Sequence, residues 1–456
     1  MVKEEMRHGE IPRSKEAYGA SLRIALPAIV EMVSISLMGM IDTVMVGRLD
    51  SGGVAVSAVG ITQQPRMIFL AVFFALNIAV TAIAARNKGA GDMRAVRNCL
   101  RTALLLNILL GVIVTIASVS LARPMMLLAG AQADTVTPAA SYFRISSIAI
   151  IFQVMTMTIC AAHRACGNTK ITLKVNMIAK ILSVALNFLL IEGRFGFPRL
   201  EVDGAAWSTV IAAFVAFVLA AVTVLQKDSP LRFFKKEEAI FDNAMFKNIA
   251  RLASGGFLEQ VGLRMGFFLY ALVVAKLGTQ EFAVHVIVMQ LMGLSFTFAD
   301  GIGIATSSLV GQNLGKKRPD LSIMYGRIGL RLAFFCALLL SMTCILIRFH
   351  FPLLFTDSPE IIETAAGIIL MLAVIMPFQT AQLVMRGSLS GAGDTRFVAL
   401  TMIITVGILR PLGGFILVYP LGLGLIGAWI AILIDQIVRM GMLHIRFARG
   451  KWINSS

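Results

Sequence analysis

The sequence predicts an all-α integral membrane protein: twelve transmembrane helices in two six-helix lobes related by a pseudo-two-fold repeat. Three observations carry this. Hydrophobic residues fill 57% of the 456 positions and charged ones only 14%. Apolar runs long enough to cross about 30 Å of hydrocarbon recur along the whole chain. The motifs of the first half also return, in order, in the second. A soluble domain carries charge at roughly a quarter of its residues, so lipid must be the solvent for most of this surface. The net charge of +16 does not point to nucleic acid, because the basic residues sit in short clusters between apolar runs and form no continuous face. Five cysteines, an odd number without CxxC spacing, read as small apolar side chains with neither disulfide framework nor metal site. Ten-residue alternation is absent, which excludes a β-barrel. The polar N-terminus has no cleavable signal pattern, so the first apolar segment is retained.

The expected spans are 21–47, 54–85, 98–122, 138–162, 171–192, 204–226, 249–276, 282–312, 323–348, 360–390, 397–420 and 422–446. Residues 1–20 form a cytoplasmic segment, 21–226 the N-lobe, 227–248 a polar, basic linker, 249–446 the C-lobe and 447–456 a cytoplasmic tail. Lysine and arginine set the orientation. One set of alternate connections holds clusters such as Arg86, Lys88, Arg94 and Arg97, or Lys316, Lys317 and Arg318. The other set holds only Arg48, Arg123, Arg194, Arg199, Lys276 and Arg348. The positive-inside rule then puts both termini in the cytoplasm and requires an even number of crossings. The expected location is the inner (plasma) membrane.

The halves match at Val46-Gly-Arg-Leu49 and Val274-Ala-Lys-Leu277, at Arg86-Asn-Lys-Gly89 and Gln312-Asn-Leu-Gly315, and at Gly167-Asn-Thr-Lys170 and Gly393-Asp-Thr-Arg396. Gly204-Ala-Ala-Trp207 matches Gly427-Ala-Trp429. Repeated six-helix halves are a transporter architecture, with the substrate site between the lobes.

Ile41-Asp-Thr-Val-Met-Val-Gly47, Ala305-Thr-Ser-Ser-Leu-Val-Gly-Gln-Asn-Leu-Gly315, Ser390-Gly-Ala-Gly-Asp-Thr395 and Gly204-Ala-Ala-Trp-Ser-Thr209 together resemble the MATE (multidrug and toxic compound extrusion) family, nearer its NorM-like branch, over about residues 20–450. The resemblance implies export of organic compounds by antiport with Na+ or H+. It implies an N-lobe cation site at Asp42, Asn187 and Thr209, with Na+ possible at Asp42 and Asn187. Ser183 stands where that pattern usually has another Asn. The family's C-lobe glutamate matches Glu259, while its partner carboxylate falls at Gln379. That substitution favours the N-lobe for a Na+ site.

Ionisable residues within spans cost roughly 2.5–3.5 kcal/mol each on insertion scales, so each needs a reason. Glu31 and Asp42 lie about three turns apart on one face of the first helix, roughly 16 Å along its axis. The repeat offset carries Glu31 onto Glu259 and Asp42 onto Tyr270. Such carboxylates can load and release protons, or bind Na+ with neutral oxygens; a structural ion pair or hydrogen-bonded acid is the alternative. Lys180 matches Glu31 in depth and shares a helical face with Ser183 and Asn187, so Glu31 and Lys180 form a possible switch pair. Arg264 with Asp300, and Arg410 with Asp435, are expected structural pairs. Arg386 is placed near a helix end, where it can snorkel. His163 is expected at the interface, and His285 near an outer boundary. Pro27, Gly301, Gly303, Pro411, Gly413 and Gly414 mark bends.

The leading function is secondary active multidrug export of bulky amphipathic or cationic compounds by alternating access, driven by H+ or Na+. The alternative is a lipid-linked precursor flippase, which Lys180, Arg264 and Arg410 keep open. No HExxH, GxSxG or paired His-Asp constellation suggests an enzyme. Cofactors and catalytic residues are expected to be none. The expected partners are small amphipathic molecules and the lipid bilayer, with no nucleic acid and a monomeric state.

Overall fold

The computed structural model describes residues 10–47, 52–129, 135–191, 193, 196, 198–226, 229–232 and 242–453. The side chains of Asp42 and its neighbours at 40, 43, 44 and 46, and those at 52–57, 64 and 279, fall outside the described set. So do half of the expected 227–248 linker and residues 48 and 49 of the Val46-Gly-Arg-Leu49 motif.

Helices make up the described chain: α1 (Ser14–Gly47), α2 (Gly52–Gly89), α3 (Met93–Ser120), the short α4 (Ala122–Leu128), α5 (Val136–Ala165), α6 (Thr169–Leu190) and α7 (Glu201–Leu225). They continue with α8 (Asn243–Ala275), α9 (Thr279–Gly315), α10 (Pro319–Ile347), α11 (Pro359–Ala392), α12 (Thr395–Met402), α13 (Arg410–Val418) and α14 (Gly424–Ala448). Among the described residues, 12 helical stretches are long and apolar enough to span a membrane, in the expected order. The eleventh, Thr395–Val418, joins α12 and α13 through a π-helical stretch, Ile403–Leu409. Pro411 explains this: it lacks an N–H and crowds the preceding turn, so the backbone widens ahead of it rather than breaking. Large apolar side chains point outward on many helices, including Ile116 (61% exposed), Phe335 (62%) and Leu346 (77%). That pattern is stable only in lipid.

Most helices run past the apolar spans. α1 begins at Ser14 rather than 21, and α2 reaches Gly89 rather than 85. The ends are capped by repeated devices. Gly167 and Gly393 adopt left-handed φ of 83° and 93°. Two residues later a threonine opens the next helix, and Asn168 N–H and Asp394 N–H donate to His163 and Leu389 carbonyls at 2.9 and 3.0 Å. Gly91 and Lys317, with φ of 80° and 57°, occupy a second matching turn. There Asp92 N–H and Arg318 N–H donate to the Asn87 and Asn313 carbonyls at 3.0 and 2.9 Å. At the third motif a Cβ on Gly204 would meet the Leu190 carbonyl oxygen at 2.6 Å, and one on Gly427 the Leu417 oxygen at 2.8 Å. The duplication is thus written in backbone hydrogen bonds as well as in sequence.

The chain divides into two compact units, residues 1–32 with 254–456, and residues 33–253. The expected lobes placed all of the first span with 21–226, whereas the first part of α1 clusters with the second-half helices. Its side chains explain why. Ile24 and Ala25 pack with Ala305 and Leu309, Ala17 packs with Met324 and Ile328, and Gly301 lets α9 approach Ile29 so closely that a Cβ would lie 2.8 Å from its Cα. Within the first unit α11 packs on α9, α10 and α14, and α13 on α14. Within the second, α5 packs on α2, α3 and α7, and α6 on α7.

α8 passes the π-helical stretch at its glycines. A Cβ on Gly266 would sit 2.0 Å from the Val406 carbonyl oxygen, whereas one on Gly293 would meet nothing within 4 Å. Gly266→Ala is therefore expected to cost about 1–3 kcal/mol through forced backbone movement, and Gly293→Ala to be near neutral. Thermal melting of the detergent-solubilised variants checks the difference.

Candidate functional site

The first unit holds a polar core built from five helices. Glu259 on α8 is 1% exposed. Arg386 on α11 lies 3.4 Å from Glu259 Oε1 through Nη1 and 3.2 Å from Asp300 Oδ1 on α9 through Nη2. One guanidinium thus bridges a fully buried carboxylate and a half-exposed one. Its fork shape allows two partners at once. Glu259 Oε2 is buried with no hydrogen-bond partner among the described residues.

A second cluster lies farther along the same core. Arg410 on α13 donates through Nε to Asp435 Oδ2 at 2.8 Å and also through Nη2, and Arg439, one turn beyond Asp435 on α14, donates to the same oxygen. All three side chains are at most 3% exposed. Together the two clusters hold three arginines (386, 410, 439) and three carboxylates (259, 300, 435), which balance when all are ionised. Neutralising any one of them leaves a buried net charge, and that makes the system responsive to protons or ions.

Gln379 is fully buried and donates through Nε2 to the Met292 carbonyl at 3.3 Å. It adds no charge where the family pattern would have a carboxylate. Gln382 and Gln436 are also fully buried, and neither amide finds a partner among the described residues.

The second unit contains the expected N-lobe residues. Ser183 and Asn187, one helical turn apart on α6, are 5% and 3% exposed. Thr209 on the adjacent α7 donates to the Ala205 carbonyl at 3.0 Å. The fold therefore brings these three onto two packed helices, while the side chain of Asp42, the fourth member, falls outside the described residues. Glu31 is 1% exposed and belongs to the first unit. Lys180, half-buried, belongs to the second.

Several expectations change. The cation that meets Asp300 is Arg386, not the expected Arg264, and Arg386 bridges two helices instead of snorkelling. The Arg410–Asp435 pair is present, with Arg439 as an unforeseen third member. Its position four residues after Asp435 was the available signal. His163 is buried rather than interfacial, with Nε2 2.8 Å from Thr223 Oγ1. Sequence reading also missed a buried chain across α2, α3 and α5. In it Asn107 Nδ2 donates to Thr158 Oγ1 at 2.5 Å, and Thr158 donates to Asn77 Oδ1 at 3.0 Å.

The MatE family model matches residues 27–189 and 257–416, one block in each half. The chain belongs to the MatE family. These are membrane transporters rather than enzymes, and the MATE assignment covers most of the chain. It is 28% identical over 445 residues to a probable multidrug resistance protein NorM of Thermotoga maritima, spanning 94% of this chain and 92% of that one. It is 26% identical to the multidrug resistance protein PmpM of Pseudomonas aeruginosa, covering 94% and 91%. Among solved structures, an outward-facing multidrug resistance MATE transporter of the MOP superfamily superposes with a TM-score of 0.88 at 21% identity, over 95% of this chain and 96% of that one. A MOP superfamily transporter from Pyrococcus furiosus, described as having a binding pocket of reversed polarity, gives 0.89 at 20% identity over 96% and 97%. This MATE chain is thus a multi-pass membrane protein with the NorM-like fold.

Proposed function

We propose that this MATE chain is a secondary active exporter in the plasma membrane, with both termini cytoplasmic. It antiports bulky amphipathic or cationic organic compounds against H+ or Na+ by alternating access between two lobes. The observation that carries the coupling is the environment of Glu259: one oxygen rests on Arg386, and the other is buried without a partner among the described residues. A carboxylate so placed can accept a proton at Oε2, releasing Arg386 to Asp300 alone. Desolvation opposes its charge, Arg386 supports it, and the balance is open to a gradient.

Asp42, Asn187, Thr209 and Ser183 form the second candidate coupling site, in the other unit. Neutral oxygens around one carboxylate suit a hard cation such as Na+. Glu31 and Lys180 are proposed to act as a switch pair, with Lys180→Met expected to abolish transport. The names of the NorM and PmpM relatives support a drug substrate. The flippase reading draws on Lys180, Arg264 and Arg410; of these, Arg410 is held by Asp435, which leaves less free positive charge for a pyrophosphate.

Dye efflux from energised vesicles, with Na+ and pH gradients imposed separately, tests the reading. Efflux driven by one gradient and lost in Glu259→Gln is the expected result and identifies the ion. Efflux that survives Glu259→Gln but not Asp42→Asn would move coupling to the second unit. No efflux under either gradient would favour the flippase.

A further inference from the structure

The C-terminal half of α8 and the first half of α9, both in the first unit, line an open pocket of about 280 Å³ formed by Ala271, Phe282, His285, Val286, Met289 and Gln290. None of these residues belongs to the coupling candidates above. The volume lies near the lower end of the roughly 300–1,000 Å³ usual for small-molecule sites, enough for one or two fused rings. The lining is mostly apolar, with a single imidazole and a single amide to orient a polar group.

His285 is 6% exposed and sits in an aromatic frame. Its ring centroid is 5.6 Å from Trp429, 5.7 Å from Tyr270 and 6.3 Å from Phe282. Tyr270 is fixed in turn by its hydroxyl, which donates to the Ala428 carbonyl at 2.8 Å. His285 Nδ1 is buried and has no partner among the described residues, so a ligand in the pocket would meet the rest of the imidazole.

Charge behind this wall decides what can enter. The Arg410 guanidinium carbon lies 5.9 Å from the Tyr270 ring centroid and 5.1 Å from that of Phe267. The Tyr270 ring is thus shared between Arg410 and His285. Asp435 is shared between Arg410 and Arg439, so this triad carries one net positive charge. The ionisable groups nearer the helix ends are Lys276 just past α8, exposed, and Glu281 on α9, half-buried, of opposite sign. Glu360, at the start of α11, is held by Gln280 at 3.4 Å. A cation in the cavity would meet a positive wall through low-dielectric rings, whereas an anion would be attracted to it and could take the imidazole N–H.

We propose that this cavity is a binding site for an aromatic carboxylate, its rings packed among Phe282, Val286 and Met289 and its acid group directed at His285. Such a site prefers the opposite charge to the cationic compounds inferred above. An aromatic acid or a zwitterion would use it, and Arg410 behind the aromatic layer would discriminate against a simple organic cation. The inference does not depend on which ion drives transport, because its test reads binding rather than flux.

The test is equilibrium binding of radiolabelled naphthoate to the full-length protein in nanodiscs, with protein-free nanodiscs measuring lipid partition. Naphthylmethylammonium is the cationic counterpart of the same ring. Saturable binding of one naphthoate per chain is expected, with the ammonium compound at least about tenfold weaker, a difference of about 1.4 kcal/mol. His285→Gln should weaken naphthoate about tenfold. Val286 is 42% exposed, so Val286→Trp can fill the cavity without disturbing the core and should abolish saturable binding. Arg410 is left unchanged, since its removal would strand Asp435. No saturable naphthoate binding to the wild type, binding that survives Val286→Trp, or equal affinity for the ammonium compound would each overturn the proposal.

Discussion

Asp435→Leu is expected to destabilise the protein by about 3–5 kcal/mol, because it leaves Arg410 and Arg439 buried without their shared carboxylate. Guanidiniums do not neutralise by giving up a proton at any ordinary pH, so the cost cannot be avoided by titration. In a membrane protein the consequence is a large drop in melting temperature and a loss of monodisperse material after extraction. The converse is equally specific. Replacing all three residues by apolar ones of similar volume removes the stranded charges together, and should recover most of the loss. Light-scattering melts of the single and triple variants make the comparison. A single variant as stable as wild type would mean that the triad's geometry does not hold in the membrane.

Arg386→Leu carries the second large effect, on transport rather than on stability. Glu259 loses the guanidinium beside it and is 1% exposed, but a carboxylic acid can take up a proton and become neutral. The fold should therefore tolerate Arg386→Leu far better than Asp435→Leu. Transport should fall at least about a hundredfold, because Glu259 would then stay protonated and could no longer cycle. Arg386→Lys retains the charge but reaches one carboxylate at a time, so partial activity is expected. Glu259→Gln should resemble Arg386→Leu, and the double variant should be no worse than either single, since both disable one unit of machinery. Additive losses would assign the two residues to separate roles.

The fold was largely legible in the sequence because its signals are local or repeated. Apolar run length marks the spans, and matched glycine motifs mark the turns. Gly167 and Gly393, read as a repeat, do take the same left-handed turn. The π-helical stretch was not visible, although Pro411 was flagged as a bend, since the response to a proline depends on whether neighbouring helices can accept a widened turn. Here Gly262 and Gly266 provide the space.

The candidate site was legible in part. Glu259 emerged as a buried carboxylate, and the Arg410–Asp435 pair followed from matching depths on consecutive spans. Which arginine meets Asp300 did not follow, because that depends on the rotation of α11 against α8 and α9, and helical depth carries no information about rotation. The same limit hid the Asn77–Thr158–Asn107 chain, whose members come from three helices. The first part of α1 could not be assigned to its unit either; that depended on how Ile29 meets Gly301, a contact spanning more than half the chain.

In the proposed antiport, substrate and ion compete for the intramembrane carboxylates. The most direct measurement is ion release when substrate binds, using purified protein in a weakly buffered, low-Na+ solution with a pH indicator and a Na+ electrode. Addition of a transported dye is predicted to release about one ion per chain. Release should vanish in the double variant Asp42→Asn with Glu259→Gln, while single variants show which site supplies it. Saturable dye binding to the wild type with neither H+ nor Na+ released would contradict the account.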